Sequence, residues 1–422
     1  MRTKRRLLGE AFRTFQRLPA AHPLQQDYEH FCAEHAWWLD DFALFMALAE
    51  RYEHRPWNTW PDDAPRPGTP WNELAKRVDD DLATAVRRLR FEQFVFFRQW
   101  EKLHAHAKSL GIRIFGDMPF YVAYQSPDVW ANRRYFQLDE TGNPIEVGGV
   151  PPDGFSANGQ LWGHPVYSWE ALAADGFRWW VDRLRACCRM VDLTRLDHFR
   201  GFAAYWSIPA HHKTARHGRW VPAPGDALLQ TLLDTWEGPW EYTADNQRVL
   251  PIVAEDLGHI TEDVVALRRR FHLPGMIVLQ FVLGNPTLEH FLPANAPEDT
   301  VIYTGTHDNN TSRGWHETEV APDSHFRARV DEDLGGRPED VARRMIELAW
   351  QAGSRMAVAP LQDVLSLGAE HRMNIPGTPT GNWRWRFSPT DLTPERADWL
   401  AELTADTGRS VAVAAGRADH GG

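Results

Sequence analysis

Three short apolar runs in this sequence each stop at an acid. Met190 to Leu193 leads through Thr194 and Arg195 to Asp197; Leu250-Pro-Ile-Val-Ala leads to Glu255 and Asp256; Thr300-Val-Ile-Tyr-Thr-Gly-Thr leads to His307 and Asp308. Side chains alternate along a strand, so Leu193, Arg195 and Asp197 share a face and an arginine meets a carboxylate at the strand's end. Such an arginine lowers the carboxyl's pKa and keeps it ionised, the state a nucleophile needs. Repulsion from neighbouring acids would raise the pKa of Glu255, leaving it a proton for a departing oxygen. Two carboxyls in those states, about 5 to 5.5 Å apart, are the equipment of a retaining glycosidase. One acid in such a place is ordinarily a turn or helix-cap residue. Three, one of them the poor capping residue Glu255, read as a single acidic site.

The elements that carry these acids follow from hydrophobic periodicity. Six strands are expected, at Ile112–Phe115, Met190–Leu196, Ile252–Ala254, Met276–Phe281, Val301–Tyr303 and Met356–Ala359. Helical spacing fills intervals between them, as in Phe177–Cys188, Glu262–Phe271 and Pro338–Ala352. Alternating strands and helices imply an α/β fold with a parallel sheet, and acids at strand C-termini are what a βα barrel uses for catalysis. Residues 1–105 read instead as helices, with aromatic stripes over Tyr28–Tyr52 and Phe91–Trp100. The Pro-rich stretch from Arg55 to Pro70 between them reads as irregular chain. The expected division is therefore a helical part over 1–105, a catalytic part over 106–390, and a C-terminal helix and tail over 391–422. Within the catalytic part, residues 117–165 are dense in Pro, Gly, Asn and aromatic residues and are expected to form an irregular loop. That loop either covers a substrate or is an ordinary surface loop.

Composition narrows the function. The 422 residues carry a net charge of −11, the wrong sign for a nucleic-acid partner. Cys32, Cys187 and Cys188 make neither a disulfide framework nor a zinc site, and no apolar stretch is long enough to span a membrane. A reducing, cytoplasmic location is expected, since the basic start is followed by a broken amphipathic pattern and not a signal peptide. Asp79-Asp-Asp81 reads as a solvated helix face, and His211, His212 and His217 match no common ligand spacing, so no metal is expected. No phosphate-binding glycine loop or nucleophile elbow appears, so no cofactor is expected. Twenty Trp residues are unusual. They are either core or platforms on which sugar rings stack.

Five stretches carry a resemblance to a known family. Arg195-Leu-Asp-His-Phe-Arg-Gly-Phe202, Val253-Ala-Glu-Asp-Leu-Gly258, Tyr303-Thr-Gly-Thr-His-Asp-Asn309, Pro360-Leu-Gln-Asp363 and Pro151-Pro-Asp153 resemble the 4-α-glucanotransferases of glycoside hydrolase family 77, over roughly Trp37 to Phe387. The resemblance implies a (β/α)8 barrel with inserted subdomains and transfer of α-1,4-glucan segments among maltooligosaccharides. It gives Asp197 the place of the nucleophile, Glu255 that of the general acid/base and Asp308 that of the third acid. Arg195 and His307 take places flanking the reacting sugar, and Asp117, Asp153, Gln160, Trp162 and Asn374 match substrate contacts. Gly154, Asn310 and Thr194 depart from the family pattern. Family members carry two barrel strands upstream of the helical region, so the six expected strands correspond to the third through eighth. A hydrolytic amylase-like enzyme and an inactive glucan-binding remnant remain as alternatives. The sequence does not give the oligomeric state.

Overall fold

The computed structural model describes residues 2–152, 156–243, 245–321, 323–378 and 380–410, so the tail over 411–422 lies outside the described residues. The chain forms two compact units. One comprises residues 1–193 and 201–239, the other residues 194–200 and 240–422.

The first unit begins with the helices Arg2–Phe15, Pro23–Glu34, Ala36–Arg51 and Asp80–Ser109. Their apolar stripes meet in a core of Phe12, Phe15, Phe31, Leu39, Phe91 and Phe94, where ring centroids of Phe15 and Phe91 stand 4.7 Å apart. The acidic triplet at 79–81 starts the longest of these helices. Asp79 accepts the Leu82 amide at 2.9 Å as its N-cap, and Asp80 and Asp81 sit in the first turn, where the helix dipole favours negative charge. Asp79 also pairs with Arg51 at 2.6 Å, which ties the long helix to the end of Ala36–Arg51.

Residues 117–165 depart from the expected irregular loop. Glu146–Val150 and Gln160–Pro165 are strands of a four-stranded antiparallel sheet completed by Ala204–Pro209 and Arg219–Pro222. The glycines that argued against regular structure are what the sheet requires. A Cβ on Gly148 would collide with the Tyr121 ring, and one on Gly149 with the Gln160 carbonyl and, at 2.8 Å, the Ile208 side chain. Inside the sheet Glu146 pairs with Arg219 at 2.6 Å and accepts the Ser207 hydroxyl.

The second unit is built on parallel strands. Thr194–Leu196 pairs with Ile252–Ala254 in the register Arg195↔Val253 and Leu196↔Ala254. Gly275–Val278, Thr300–Tyr303 and Met356–Val358 form a second parallel set. A hydrogen bond from the Ala254 amide to the Pro274 carbonyl, 2.8 Å, links the two sets. Buried Ile277, Leu279, Ile302, Trp315, Met345 and Ala349 make the core between these strands and the helix Val341–Gln351. Five of the expected strands thus lie within a residue or three of their places; the sixth is displaced to Phe115–Met118, and the run after Val278 turns into the helix Leu279–Val282. Among the described residues no helix is long and apolar enough to cross a membrane.

The tightness of the antiparallel sheet gives a prediction. Gly149→Ala lowers stability by about 1–3 kcal/mol, because backbone and Ile208 must shift to admit a methyl group. Gly9→Ala, at a half-buried interior position of the helix Arg2–Phe15 where an added Cβ meets only the end of Arg13, is neutral or stabilising. Thermal unfolding of both variants checks this; equal melting temperatures would contradict the close backbone approach.

Candidate active site

The register of the second unit sets the site. Adjacent parallel strands stand about 4.8 Å apart, and one step beyond the paired residues Leu196 and Ala254 lie Asp197 and Glu255. Two crossed hydrogen bonds continue the pairing, from the Glu255 amide to the Leu196 carbonyl at 3.0 Å and from the Phe199 amide to the Glu255 carbonyl at 3.1 Å. Both acids therefore leave the sheet from the same end, at adjacent strands.

The Glu255 carboxyl is held by main chain. The amide of His198 donates to one oxygen at 2.7 Å and that of Leu257 to the other at 3.0 Å. His198 reaches this position with φ of 50°, a left-handed conformation uncommon for a residue with a side chain. Its own peptide unit is the one that carries Asp197, so the placement of one acid fixes a donor to the other. Burial raises the pKa of Glu255 to about 7, with Asp197 adding to the rise and Arg195 and the two amides opposing it. Desolvation, more than repulsion between acids, is the main cause.

Arg195 is 8% exposed, and its Nη2 donates to Asp197 Oδ1 at 2.8 Å. A carboxylate so paired is stabilised in its charged form. The same guanidinium also lowers the pKa of Asp308 and of Glu255. Asp308 sits after the strand Thr300–Tyr303, where Asn374 Nδ2 donates to Oδ1 at 2.6 Å and His307 Nε2 approaches Oδ2 at 3.2 Å. Burial alone would raise its pKa, but hydrogen bonds from His307 and Asn374 and the charge of Arg195 hold it below the usual range. Arg372 supports the same residue by donating to the Asp308 carbonyl at 2.6 Å.

The segment bearing His307 and Asp308 is anchored by Asp363, which is 1% exposed. Its oxygens accept the Thr304 hydroxyl at 2.6 Å, the Ser312 amide at 2.7 Å and the Ser312 hydroxyl at 2.7 Å, clamping both ends of residues 305–311. Asn309 closes a turn inside it by accepting from Thr306. Asn310, where the family pattern has an acid, bridges to Thr318 and Glu319. Trp383 lies beside His307, ring centroids 5.2 Å apart, and is 56% exposed.

Six of the expected residues, Arg195, Asp197, Glu255, His307, Asp308 and Asn374, therefore gather in the second unit. Asp117, Gln160 and Trp162 belong to the first. Asp117 is exposed on Phe115–Met118, and Gln160 and Trp162 lie two apart on one face of their strand, with Trp162 Nε1 donating to the Gln160 amide oxygen at 3.1 Å. Asp153 and Gly154 lie outside the described residues. Residues not expected from sequence are Asp363, Arg372 and Trp383 and the amides of His198 and Leu257. Only Asp363 had a signal, its place in the Pro360–Asp363 motif. Among the described residues no group of His, Cys, Asp and Glu could hold a metal ion.

The raised pKa predicts the pH profile of kcat/KM for the free enzyme. Below about 7 Glu255 retains a donatable proton, and the rate falls as pH rises through that value. Arg195→Met removes a charge that opposes the rise, so the falling limb moves up by roughly one pH unit while the rate drops. A limb that stays in place would show that Glu255 does not feel Arg195.

The chain as a whole is similar to known proteins of one family. The sequence pattern of the family described as 4-alpha-glucanotransferase matches residues 1–393. A 4-alpha-glucanotransferase of Thermus thermophilus is 45% identical over 95% of this chain and 78% of its own length, and one of Synechocystis sp. is 44% identical over 97% and 78%. Among solved structures, an amylomaltase from Streptococcus agalactiae in complex with acarbose superposes with a TM-score of 0.87 at 32% identity, covering 97% of this chain and 79% of that one.

Proposed function

The chain belongs to the 4-alpha-glucanotransferase family, and from that premise we propose that it transfers α-1,4-glucan segments to an acceptor sugar's 4-hydroxyl by double displacement with retention. The five parallel strands of the second unit are read as part of the family's (β/α)8 barrel, a reading supported by the likeness to the amylomaltase fold.

In the first step Glu255 gives its proton to the glycosidic oxygen while a carboxylate oxygen of Asp197 bonds to the anomeric carbon. The leaving chain departs with a free 4-hydroxyl. The now charged Glu255 then takes the proton of an acceptor hydroxyl, whose oxygen attacks the anomeric carbon and displaces Asp197. The observation that carries this assignment is the contrast between two acids at neighbouring strand ends, one paired with Arg195 at 2.8 Å and the other pushed up to about 7 by burial. In this reading Asp308 holds sugar hydroxyls and favours the positive charge that develops on the ring, a role supported by its contacts to Asn374 and His307. The ligand named for the Streptococcus agalactiae amylomaltase, acarbose, supports a glucan-like occupant.

Two measurements test the proposal. Incubation with maltotriose yields glucose and a ladder of longer oligosaccharides with little gain in reducing ends, since transfer conserves glycosidic bonds; a rise in reducing ends that matches substrate loss would make the enzyme a hydrolase. Asp197→Asn, Glu255→Gln and Asp308→Asn each lower turnover by about a hundredfold or more without unfolding the chain. Retention of more than about a tenth of the rate would remove that residue from the mechanism.

A further inference from the structure

Glu255 is followed directly by a second acid, which the steps above do not use. The Oδ1 of Asp256 accepts the Met276 amide at 2.8 Å, and its Oδ2 lies 3.1 Å from Arg268 Nε. Met276 belongs to the strand Gly275–Val278, and Arg268 to the helix Glu262–Arg270. Arg268 is 7% exposed and is itself held, its Nη1 donating to the Leu273 carbonyl at 2.8 Å and to Asp299 Oδ2 at 3.0 Å. Gly275 makes room for the carboxylate. A Cβ there would stand 2.5 Å from Asp256 Oδ2 and 2.9 Å from Oδ1.

The peptide unit that leaves the Asp256 Cα carries the Leu257 N–H, which donates to Glu255 Oε1 at 3.0 Å. One residue thus joins an anchored carboxylate to a donor for the neighbouring acid. A buried ion pair adds little net stability, since desolvation offsets most of the attraction. What the pair of Asp256 and Arg268 does supply is a fixed angle for that peptide unit. The charges facing Glu255 are Arg195 and Asp197 on the adjoining strand, and those facing Asp256 are Arg268 and Asp299. His198, whose amide also donates to Glu255, has an imidazole that burial holds down at about 4, neutral where Glu255 titrates.

We propose that Asp256 is a positioning residue for glucan transfer: seated against Gly275 and clamped by the Met276 amide and Arg268, it fixes the Leu257 amide on Glu255. The inference rests on the reading of Glu255 as the proton donor. An amide so placed stabilises the carboxylate left after proton transfer, and without it Glu255 becomes a weaker acid.

The test separates position from charge. Gly275→Ala keeps every charged group and pushes the Asp256 carboxylate out of its seat. The falling limb of kcat/KM against pH then rises by about one pH unit, roughly what one amide donor contributes to a charged carboxylate, and kcat drops about tenfold. A charge effect does not predict this, since weakening the negative charge beside Glu255 would move the limb the other way. Asp256→Ala removes the tether outright, and hydrogen exchange of the Leu257 amide in the full chain quickens by about tenfold or more. Asp299→Asn takes a carboxylate from the same arginine but leaves Asp256 in place, and it alters neither the exchange nor the limb. A limb at the parent's position in Gly275→Ala, Leu257 exchange at the parent's rate in Asp256→Ala, or equal effects in Asp299→Asn would each overturn the proposal. If Asp256→Ala does not fold, Leu257 exchange in Gly275→Ala decides. A parent enzyme with no falling limb near neutral pH would instead count against Glu255 as the proton donor, and the exchange of Leu257 would still decide the tether.

Discussion

A single buried guanidinium reaches all three acids of this protein's candidate site. Arg195 is paired with Asp197 at 2.8 Å, and its charge also reaches Glu255 and Asp308. Without it, burial and mutual repulsion would raise the pKa values of the carboxylates and work against keeping Asp197 charged. A buried arginine without acids would be equally costly, since an unpaired charge out of water destabilises the fold by several kcal/mol. The two requirements satisfy each other. Within that shared field the environments differ: Glu255 is desolvated and keeps a proton to near neutrality, while Asp308 receives enough hydrogen bonds to overcome its burial.

Much of the surrounding structure serves to keep this cluster in register. The parallel pairing of Thr194–Leu196 with Ile252–Ala254 sets Asp197 beside Glu255, and the left-handed turn at His198 aims a backbone amide at the second acid from the peptide unit that bears the first. Asp363 does the corresponding work for Asp308 by clamping Thr304 and Ser312. These supports are main-chain or fully buried groups, rigid enough to hold reacting atoms where a displacement of about 1 Å can cost roughly a hundredfold in rate.

The parallel strands and the three acids were legible in the sequence because short β-branched runs ending in Asp or Glu leave a periodic trace. Arg195 with Asp197 was legible by alternation alone. The amides of His198 and Leu257 were not, since a backbone donor has no residue type to betray it. The antiparallel sheet was missed for a different reason: Gly148, Gly149 and Gly163 looked like breakers, yet the first two are small because Tyr121 and the Gln160 carbonyl occupy the space of a side chain. The cause of the high Glu255 pKa was also misjudged from sequence, which reveals neighbouring charges but not the depth of burial. The many Trp residues divide between both readings. Trp57, Trp130, Trp180 and Trp315 are core, whereas Trp37 and Trp383 present more than half of their surface.

The central claim is that Asp197, kept charged by Arg195, is the carboxylate that bonds to the sugar. It is tested most directly by trapping. A 5-fluoro-α-glucosyl fluoride, whose fluorine slows the second step, is incubated with the enzyme, and the labelled peptide is located by mass spectrometry after digestion. The account predicts one stable glycosyl ester, on Asp197, with no label in the Arg195→Met or Asp197→Asn chains under the same conditions. A label on Glu255 or Asp308 in the unsubstituted enzyme would contradict it.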